Sequence, residues 1–326
     1  MLDKFGRKIN YLRLSVTDRC DLRCSYCMPK KNMSFYPKTE ILSISDLKKI
    51  TNTLIKSGIK TIRITGGEPL IRKDILEFLE FVCLKKKENK LKEVLITTNG
   101  TQLKKYAKKI AYLGINRINI SLDSLDPVKF NYITNGGKLE KVLEGIYEAK
   151  KNKIDIKINT VLLKDFNESE ILKFTKWCAK NNFKQSFIEI MPVGKLEIQR
   201  KNQFLPISVA KSKIKEMFGL QPLFLKTNGP SKYFQTEKFG NVIGFISPLT
   251  ENFCASCNRI RVTSNGVLYP CLGDNGSVNL KKFLHKDEKK LFSIISDIIY
   301  NKPEKHLFSV NDETYINSRF MNTTGG

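Results

Sequence analysis

Short aliphatic segments alternate with longer amphipathic segments through the first 190 residues. The short segments predict β-strands, and the longer ones predict helices because their apolar residues recur at helical spacing. The predicted strands are 10–16, 60–65, 93–98, 116–121, 154–161 and 184–190. The predicted helices are 45–57, 74–86, 101–113, 139–151 and 167–181. Strand–helix alternation favours parallel βαβ units with right-handed crossovers, in an open sheet or an incomplete barrel.

Local signals mark the ends of the first predicted helix. Ser45 fits an N-cap, and Gly58 fits a stop just beyond the last helical residue. We therefore expect this helix to begin at Ser45 and to end before Gly58.

A polar residue interrupts five of the predicted strands. Arg13, Arg63 and Lys157 each stand between two aliphatic residues, and Asn119 and Glu189 do so in two further strands. Fully buried parallel strands are usually continuous apolar runs. Since side chains alternate faces along a strand, these strands should turn a polar face into a barrel lumen. A wet cavity with an anionic ligand would satisfy such cations; the alternative is that each lies at a strand end in solvent.

The pattern changes from residue 240 onward. Residues 240–246 predict a strand, a cysteine-rich segment follows, and 279–285 and 287–300 predict helices. The chain ends in the polar segment 322–326. We therefore divide the chain into a partial barrel, 1–239, and a C-terminal region, 240–326.

Composition narrows the class of protein. The 326 residues are 41% hydrophobic, which is enough for a sizeable core and argues against disorder. No run of 18 apolar residues is present and residues 1–10 lack an apolar stretch, so we expect neither a membrane span nor a secretory signal. A cytoplasmic protein keeps its thiols reduced, so the eight cysteines are interpreted as metal ligands or buried thiols.

The net charge is strongly positive. Fifty-seven Lys and Arg against 32 Asp and Glu give +25. Because the lysines fall mostly on predicted helix faces, a solvated surface is the simplest interpretation. The charge nevertheless favours an anionic substrate, and binding to nucleic acid is the alternative.

A first cysteine triad follows the first predicted strand. Cys20, Cys24 and Cys27 lie within one loop that can wrap a metal. Structural zinc sites usually have four ligands, and iron–sulfur cubanes normally take four cysteines. Three cysteines would leave one iron open to another ligand. After the second strand, Gly66 and Gly67 permit close approach of a ligand, and the Glu68 carboxylate could accept hydrogen bonds from an ammonium group.

A second triad has the spacing CxxCx₁₃C. It comprises Cys254, Cys257 and Cys271, so a second cluster with an open iron fits better than zinc, for which the sequence offers no fourth ligand nearby. Arg259 and Arg261 share one side of an extended segment, which suits phosphate or a purine acceptor edge. A basic edge strand is the alternative for these arginines.

The remaining cysteines and histidines lie apart from the triads in sequence. Cys83 and Cys178 fall within helical patterns and are interpreted as core thiols. The two histidines of the chain are His285 and His306.

CxxxCxxC followed about 40 residues later by GGEP resembles the radical S-adenosylmethionine (SAM) superfamily. The resemblance implies a [4Fe–4S] cluster on Cys20, Cys24 and Cys27, with SAM on the open iron. Reductive cleavage of SAM would release a 5′-deoxyadenosyl radical. By motif match, the implied SAM-binding residues are Tyr26, Gly67, Ser121 and Met191.

The two triads together are similar to a narrower family, the GTP 3′,8-cyclases (molybdenum cofactor biosynthesis protein A). The segments that carry the resemblance are LRLSVTDRC (12–20), RITGGEP (63–69), TTNG (97–100), NISLD (119–123), FIEIMPVG (187–194) and the terminal Gly-Gly. They imply an α/β fold, an incomplete (α/β)₆ TIM-type barrel closed by a C-terminal region whose second [4Fe–4S] cluster binds guanine. The implied GTP-binding residues are Arg13, Arg63, Thr97, Lys157, Arg259 and Arg261.

The resemblance implies a radical SAM lyase that catalyses the first step of molybdenum cofactor biosynthesis. Hydrogen abstraction from C3′ of GTP, attack of the C3′ radical on C8 and reduction of the resulting radical would give 3′,8-cyclo-7,8-dihydro-GTP. Implied partners are an external electron donor, the cyclic pyranopterin monophosphate synthase that takes the product, and a second copy of the chain; neither nucleic acid nor a membrane is expected. The alternatives are a peptide-modifying radical SAM maturase with an auxiliary cluster, or a non-enzymatic basic iron–sulfur or zinc protein that binds nucleic acid.

Two further positions carry specific expectations. Ser186 stands where the family usually has Arg, and Lys184, on the same face but farther along, could compensate. Gly325 and Gly326 are thin enough to enter a crowded cavity. We expect this tail to insert into the active site and to act in catalysis; the alternative is a frayed end.

Overall fold

The computed structural model describes residues 1–28, 34–194, 200–225, 227–309 and 319–325. Six strands and five helices lie close to their predicted positions. The strands are β1 Tyr11–Ser15, β2 Thr61–Thr65, β3 Glu93–Thr98, β4 Arg117–Ser121, β5 Asp155–Leu162 and β6 Lys184–Glu189. The helices between them are α1 Ile44–Lys56, α2 Ile75–Lys87, α3 Leu103–Tyr112, α4 Pro127–Thr134, α5 Leu139–Lys151 and α6 Ile171–Asn181. Of these helices, α4 is absent from the sequence prediction.

The later part of the chain adds strands at both edges of the sheet. These strands are β7 Gln221–Leu223, β8 Lys232–Gln235, β9 Val242–Ile246, β10 Arg259–Val262, β11 Val267–Tyr269 and β12 Val278–Asn279. The helices here are α7 Arg200–Gln203, α8 Ile207–Phe218, α9 Glu288–Tyr300 and α10 Met321–Thr324. The helix predicted over 279–285 is only a 3₁₀ segment, Leu280–Phe283.

One twelve-stranded sheet runs through the molecule. Its order is β12-β11-β10-β1-β2-β3-β4-β5-β6-β9-β8-β7, and within the described residues its two ends do not pair. The strands from β10 to β9 are parallel, and the outer strands are antiparallel. The barrel is therefore incomplete, as predicted, and the strands that follow β6 in sequence extend it on both sides. The division of the chain into two regions at 239/240 stays a prediction. The strands on either side of this boundary, β8 and β9, are paired with each other.

The start of α1 differs from the prediction by two residues. Ser43, not Ser45, is the N-cap: its hydroxyl accepts from the Asp46 N–H at 3.1 Å, and the Asp46 carboxylate accepts from the Ser43 N–H at 3.0 Å. The reciprocal pair satisfies two otherwise unpaired donors, which a lone Ser45 would not do. At the other end Gly58 has φ +101°, so the predicted stop is confirmed.

The strands have the two faces that their patterns predicted. Aliphatic residues such as Leu12, Leu14 and Ile62 are fully buried against the helices. Arg63 and Lys157 are each 7% exposed, so they do not lie at solvated strand ends. The cations point instead into the lumen.

Strand β6 is an exception to the predicted facing. Ser186 and Ile188 pair with Asn159 and Val161 and share their side of the sheet. Glu189 borders the cavity, but it pairs with Leu162 of the apolar face, and its carboxylate accepts from the N–H of Ile207 at 3.1 Å, where α8 begins. The prediction that Glu189 belongs to the polar lumen face is therefore wrong.

Among the described residues, no helix is both long and apolar enough to span a bilayer.

A candidate active site in the barrel lumen

A cavity of about 340 Å³ lies inside the partial barrel. Both cysteine triads line it, as do all the residues that motif resemblance assigned to SAM and to GTP. These lining residues are Cys20, Cys24, Cys27, Cys254, Cys257, Cys271, Tyr26, Gly67, Ser121, Met191, Arg13, Arg63, Thr97, Lys157, Arg259 and Arg261. Residues more than 240 positions apart in sequence therefore meet in one space.

The GGEP turn packs directly on the loop that leads to the first triad. The N–H of Gly67 donates to the Thr17 carbonyl at 2.7 Å, and that of Glu68 donates to the Arg19 carbonyl at 2.8 Å. A Cβ at Gly67 would lie 2.2 Å from the Arg19 oxygen. The glycine is thus required for contact between two loops of the chain.

The Glu68 carboxylate is fully buried and already holds three donors. It accepts from the N–H of Leu70 at 2.9 Å, the hydroxyl of Thr98 at 2.8 Å and the N–H of Asn99 at 2.6 Å. Burial raises the pKa of Glu68 to about 7, although these three donors act in the opposite direction. The carboxylate fixes the turn after β3, so its expected role as an acceptor for an ammonium group lacks support here.

The first triad sits in a low-polarity environment. Burial raises the pKa values of Cys20 and Cys24 well above the ordinary range, with neighbouring acidic groups adding to the effect. Tyr26 lies between the last two cysteines of the triad, and its hydroxyl donates to Asp123 at 2.6 Å. Burial raises the pKa of Asp123 to about 6, against the effect of this bond. The pair ties the cysteine loop to the end of β4.

The environment of the second triad is more polar than that of the first. Some of its neighbours are distant from it in sequence. Burial opposes ionisation of Cys257, but Arg259 and Lys302 outweigh it and lower its pKa to about 7. Burial likewise opposes ionisation of Cys254, but a hydrogen bond with His306 lowers its pKa.

His306 therefore lies beside the second triad, although 35 or more residues separate the two in sequence. It does not present a free nitrogen: Nε2 lies 2.9 Å from the Pro248 carbonyl oxygen, and the N–H of Phe308 donates to Nδ1 at 3.2 Å. Gly273 makes room, since a Cβ there would lie 2.7 Å from that of His306. His306 is therefore a neighbour of the triad whose ring is also held by the backbone.

Strand register aligns the cations of the lumen. Arg261, Arg13 and Arg63 are partners across β10, β1 and β2. Arg63 donates to the hydroxyl of Tyr11 at 2.6 Å and to that of Thr97 at 3.1 Å. Burial and the like charges of its neighbours hold the pKa of Arg13 well below its ordinary value, and burial with Arg259 lowers that of Arg261 to about 10. This concentration of positive charge suits an anion.

Lys157 anchors a second polar group on the opposite side of the barrel. Its Nζ donates to the hydroxyls of Ser231 at 3.1 Å and Tyr233 at 3.0 Å. Burial opposes ionisation of Tyr233, but the Lys157 ammonium outweighs it and lowers the pKa of Tyr233 to about 8. Burial in turn lowers the pKa of Lys157.

Ser186 lies next to Ser231, one of the hydroxyl partners of Lys157, and it is fully buried. Its Oγ lies 3.3 Å from that of Ser231. Lys184, the expected substitute for the missing arginine, is instead 3.8 Å from Asp155 at the start of β5, and it does not line the cavity. Whether Lys184 compensates for the missing arginine therefore stays a prediction.

The C-terminal tail enters the cavity. Asn322 and Thr324 are 1% exposed, and the Asn322 amide donates to the Asp18 carbonyl at 2.8 Å. The Gly325 carbonyl accepts from Arg261 at 2.9 Å and from Arg13 at 3.1 Å. With φ +75°, Gly325 has no room for a side chain, since a Cβ would lie 2.1 Å from the Thr65 hydroxyl. A frayed end is excluded for 319–325; Gly326 lies outside the described residues.

Several lining residues were not singled out from the sequence. Tyr11, Ser231, Tyr233, Lys302 and His306 lie beside predicted residues only because the chain folds back on itself. Asn159 repeats the polar alternation after Lys157 on β5 and could have been predicted from it. The Oδ1 atoms of Asn159 and Asn119 are buried without a partner, so the lumen offers two acceptors for ligand donors.

Family models match nearly all of the chain. The model of the radical SAM superfamily matches residues 14–178, and that of Molybdenum Cofactor Synthesis C matches residues 183–308. GTP 3′,8-cyclases from Brucella ovis and Brucella canis are each 43% identical over 330 aligned positions, covering 100% of this chain and 96% of the relative.

Solved structures share the fold at much lower sequence identity. Streptococcus suis SuiB bound to S-adenosylmethionine has a TM-score of 0.61 at 17% identity, covering 90% of this chain and 67% of SuiB. Native anSMEcpe with bound AdoMet has a TM-score of 0.56 at 18% identity, covering 86% of this chain and 82% of anSMEcpe. At these identities the similarity concerns the fold alone.

Proposed function

Since this chain belongs to the radical SAM superfamily and, within it, to the GTP 3′,8-cyclase family, we propose that it converts GTP to 3′,8-cyclo-7,8-dihydro-GTP. This reaction is the first step of molybdenum cofactor biosynthesis. One observation carries the proposal: two cysteine triads and a row of arginines line the same lumen. A peptide-modifying enzyme or a surface binder of nucleic acid would not need the arginines enclosed.

The thiols fit iron–sulfur clusters better than zinc ions. Across the described ranges of the chain, no three His, Cys, Asp or Glu side chains gather closely enough to hold one metal ion. A tetrahedral zinc with Zn–S bonds of about 2.3 Å needs thiolates roughly 4 Å apart. A cubane occupies the space among its cysteines, so wider spacing suits it. Cys20, Cys24 and Cys27 would hold the cluster that binds SAM, and Cys254, Cys257 and Cys271 would hold the second.

The cluster and SAM, when bound, supply a carbon radical capable of abstracting a hydrogen atom from the substrate. The chain supplies binding and orientation. Tyr26, Gly67, Ser121 and Met191 would hold SAM, because they line the same lumen as the first triad. The Asp123 bond to Tyr26 keeps the cysteine loop against the strand ends.

The cations would hold the triphosphate and the second triad would position the base. Arg13, Arg63 and Arg261 form one row, and Lys157 on β5 lines the same cavity. Thr97 and Arg259 complete the set. Guanidinium groups make charge-assisted, often paired hydrogen bonds to phosphate oxygens. The unpaired oxygens of Asn119 and Asn159 could accept from ribose hydroxyls.

The tail would act on these cations during catalysis. Because the Gly325 carbonyl bonds to both Arg13 and Arg261, it can align their guanidinium groups toward the substrate. We propose that Gly326 shares this catalytic role.

The proposed partners follow from the reaction. An external electron donor must reduce the first cluster, and cyclic pyranopterin monophosphate synthase would take the product. A second copy of the chain is a further proposed partner. We place the protein in the cytoplasm, where thiol ligands stay reduced.

Anaerobic reconstitution followed by incubation with SAM, dithionite and GTP tests the proposal. About eight iron atoms per chain and formation of the cyclised nucleotide are expected. Cys20→Ala/Cys24→Ala/Cys27→Ala should keep about half the iron and lose SAM cleavage. Cys254→Ala/Cys257→Ala/Cys271→Ala should keep half and still cleave SAM without forming product.

Two variants serve as matched controls, and two outcomes would contradict the proposal. Cys83→Ala and Cys178→Ala remove thiols that lie in helices outside the lumen, and should retain full iron. Stoichiometric zinc at the second triad would contradict the two-cluster proposal. SAM cleavage without conversion of GTP by the intact protein would contradict the proposed reaction.

A further inference from the structure

Lys302 is a buried cation next to the second cysteine triad. It follows the end of α9 and is only 1% exposed. Its Nζ donates to the carbonyl of Arg259 at 3.0 Å and also to the carbonyl of Pro270. These carbonyls belong to the two segments that carry Cys257 and Cys271, so one ammonium group joins both.

Arg7 is a buried cation of the same region whose charge is neutralised by another residue of the chain. It is also buried, but it pairs with the buried carboxylate of Asp3 at 2.6 Å. For Lys302, no carboxylate of the described residues lies within ion-pair distance. A buried charge without a counter-charge is costly. An anionic group at this site would offset that cost.

The neighbouring thiols are placed to provide the anion. The Lys302 ammonium acts electrostatically on both Cys257 and Cys271, and all three residues line the same cavity. Thiolates around an iron–sulfur core give the assembly a net negative charge, and reduction adds to it. Net charge and hydrogen bonding are the main protein controls on cluster potential.

Hydrogen bonds from Arg7 hold the backbone next to Lys302. Arg7 donates to the carbonyls of Cys254 at 2.9 Å, Pro303 at 2.6 Å and Glu304 at 2.7 Å. The segment that carries Lys302 is therefore fixed to the segment that carries Cys254. This arrangement keeps the ammonium at a defined distance from the triad.

We propose that Lys302 is a positioning residue that serves as the built-in counter-cation of the second cluster. Its charge stabilises the bound cluster and favours its reduced form, and its hydrogen bonds fix the two segments that carry Cys257 and Cys271. This inference rests on the proposed function, because it requires a cluster at the second triad.

Three substitutions separate charge from shape. Lys302→Met removes the charge and both hydrogen bonds, Lys302→Gln keeps a donor without charge, and Lys302→Arg keeps the charge. Each is made in the full-length chain with Cys20, Cys24 and Cys27 replaced by Ala, so that only the second cluster contributes an electron paramagnetic resonance (EPR) signal. Iron content and the midpoint potential from an EPR-monitored redox titration are measured. Exposed Lys305, in the same segment, provides the control Lys305→Met.

We expect Lys302→Met and Lys302→Gln to lower the midpoint potential or to lose the cluster. Lys302→Arg should retain the cluster near the parent potential, and Lys305→Met should match the parent in both measurements. Full iron with an unchanged potential in Lys302→Met would overturn the inference. Loss of the cluster in all three Lys302 variants would also overturn it, because shape rather than charge would then be responsible.

Failure of the inference and failure of the proposed function give different results. A parent chain without iron at the second triad would contradict the two-cluster proposal itself. Iron in the parent, with the same potential in Lys302→Met, would contradict only the role of Lys302.

Discussion

At the scale of single residues, the two arginines of β10 make different contacts. Arg261 faces Arg13 across the strand pair and also donates to the Gly325 carbonyl. Arg259 lies nearer the second triad, with its guanidinium 3.6 Å from the Cys257 sulfur and 4.8 Å from the centre of the Phe253 ring. Both are half-buried, so a phosphate contact there would be shielded from water and salt.

We predict that Arg259→Ala and Arg261→Ala each weaken GTP binding about tenfold to hundredfold. Each removes a charge-assisted contact worth roughly 1.5–3 kcal/mol. Iron content should be unchanged, since neither side chain is a cluster ligand. Equilibrium binding of GTP to the reconstituted protein under anaerobic conditions measures the effect, with exposed Lys289→Ala as the control. Parent-like affinity in both arginine variants would show that the substrate site is misplaced.

At the scale of elements, the segment before β8 closes one end of the lumen. Asn228 donates to the Thr61 hydroxyl at the first residue of β2, at 3.0 Å. Ser231, three residues on, lies against Ser186 and Lys157. Gly244 on β9 leaves the space for this contact, because a Cβ there would lie 2.4 Å from the Ser186 hydroxyl. The segment thus occupies the room that an arginine at position 186 would need.

We predict that Ser186→Arg destabilises the protein and does not strengthen GTP binding. Overpacking a closed site costs about 1–3 kcal/mol. The double variant Ser186→Arg/Ser231→Gly makes room, so it should recover stability and bind GTP more tightly than Ser186→Arg alone. Denaturant midpoints and GTP affinities test this, with Lys184→Arg on the same strand as the control. A stable single variant with tighter GTP binding would refute the account.

At the scale of the whole molecule, the two ends of the chain meet in the lumen. Residue 13 and residue 325 share a hydrogen bond, and Asn322 bonds to the Asp18 carbonyl just before the first triad. Phe320 also packs on Gly194, where a Cβ would lie 2.7 Å from its ring. The tail, which comes last in the sequence, therefore forms one wall of the site.

We predict that deleting Gly325 and Gly326 strongly lowers cyclisation while both clusters, SAM binding and GTP binding persist. Gly325→Ala should act similarly, because its Cβ would collide with the Thr65 hydroxyl and displace the carbonyl from Arg13 and Arg261. Thr323→Ala, which removes a hydroxyl that donates to the Phe320 carbonyl within the tail, is the control. Product yield, iron content and ligand affinities are measured together. Unchanged product formation in the deletion variant would leave the tail without a catalytic role.

The sequence by itself determined the six central strands, most helices between them, and the inward face of Arg13, Arg63 and Lys157. These features are local: a period of two or 3.6 residues records which side of an element meets apolar neighbours. Cysteine spacing and GGEP are likewise local, so the first triad and its neighbouring turn could be recognised directly. Prediction failed locally at α4, whose short pattern is weak, and at Glu189, where β6 turns its other face inward.

Only the tertiary structure decided which distant residues share the lumen. Strand pairing placed Arg261 beside Arg13, and the return of the chain after α9 placed Lys302 and His306 beside the second triad. It also showed that Ser231 fills the space next to Ser186 and that Gly325 lies between two arginines. Such contacts depend on loop paths and register, which carry no periodic signal. A buried ammonium or a closed cavity is a property of everything packed around it, so it emerges only once the whole chain has folded.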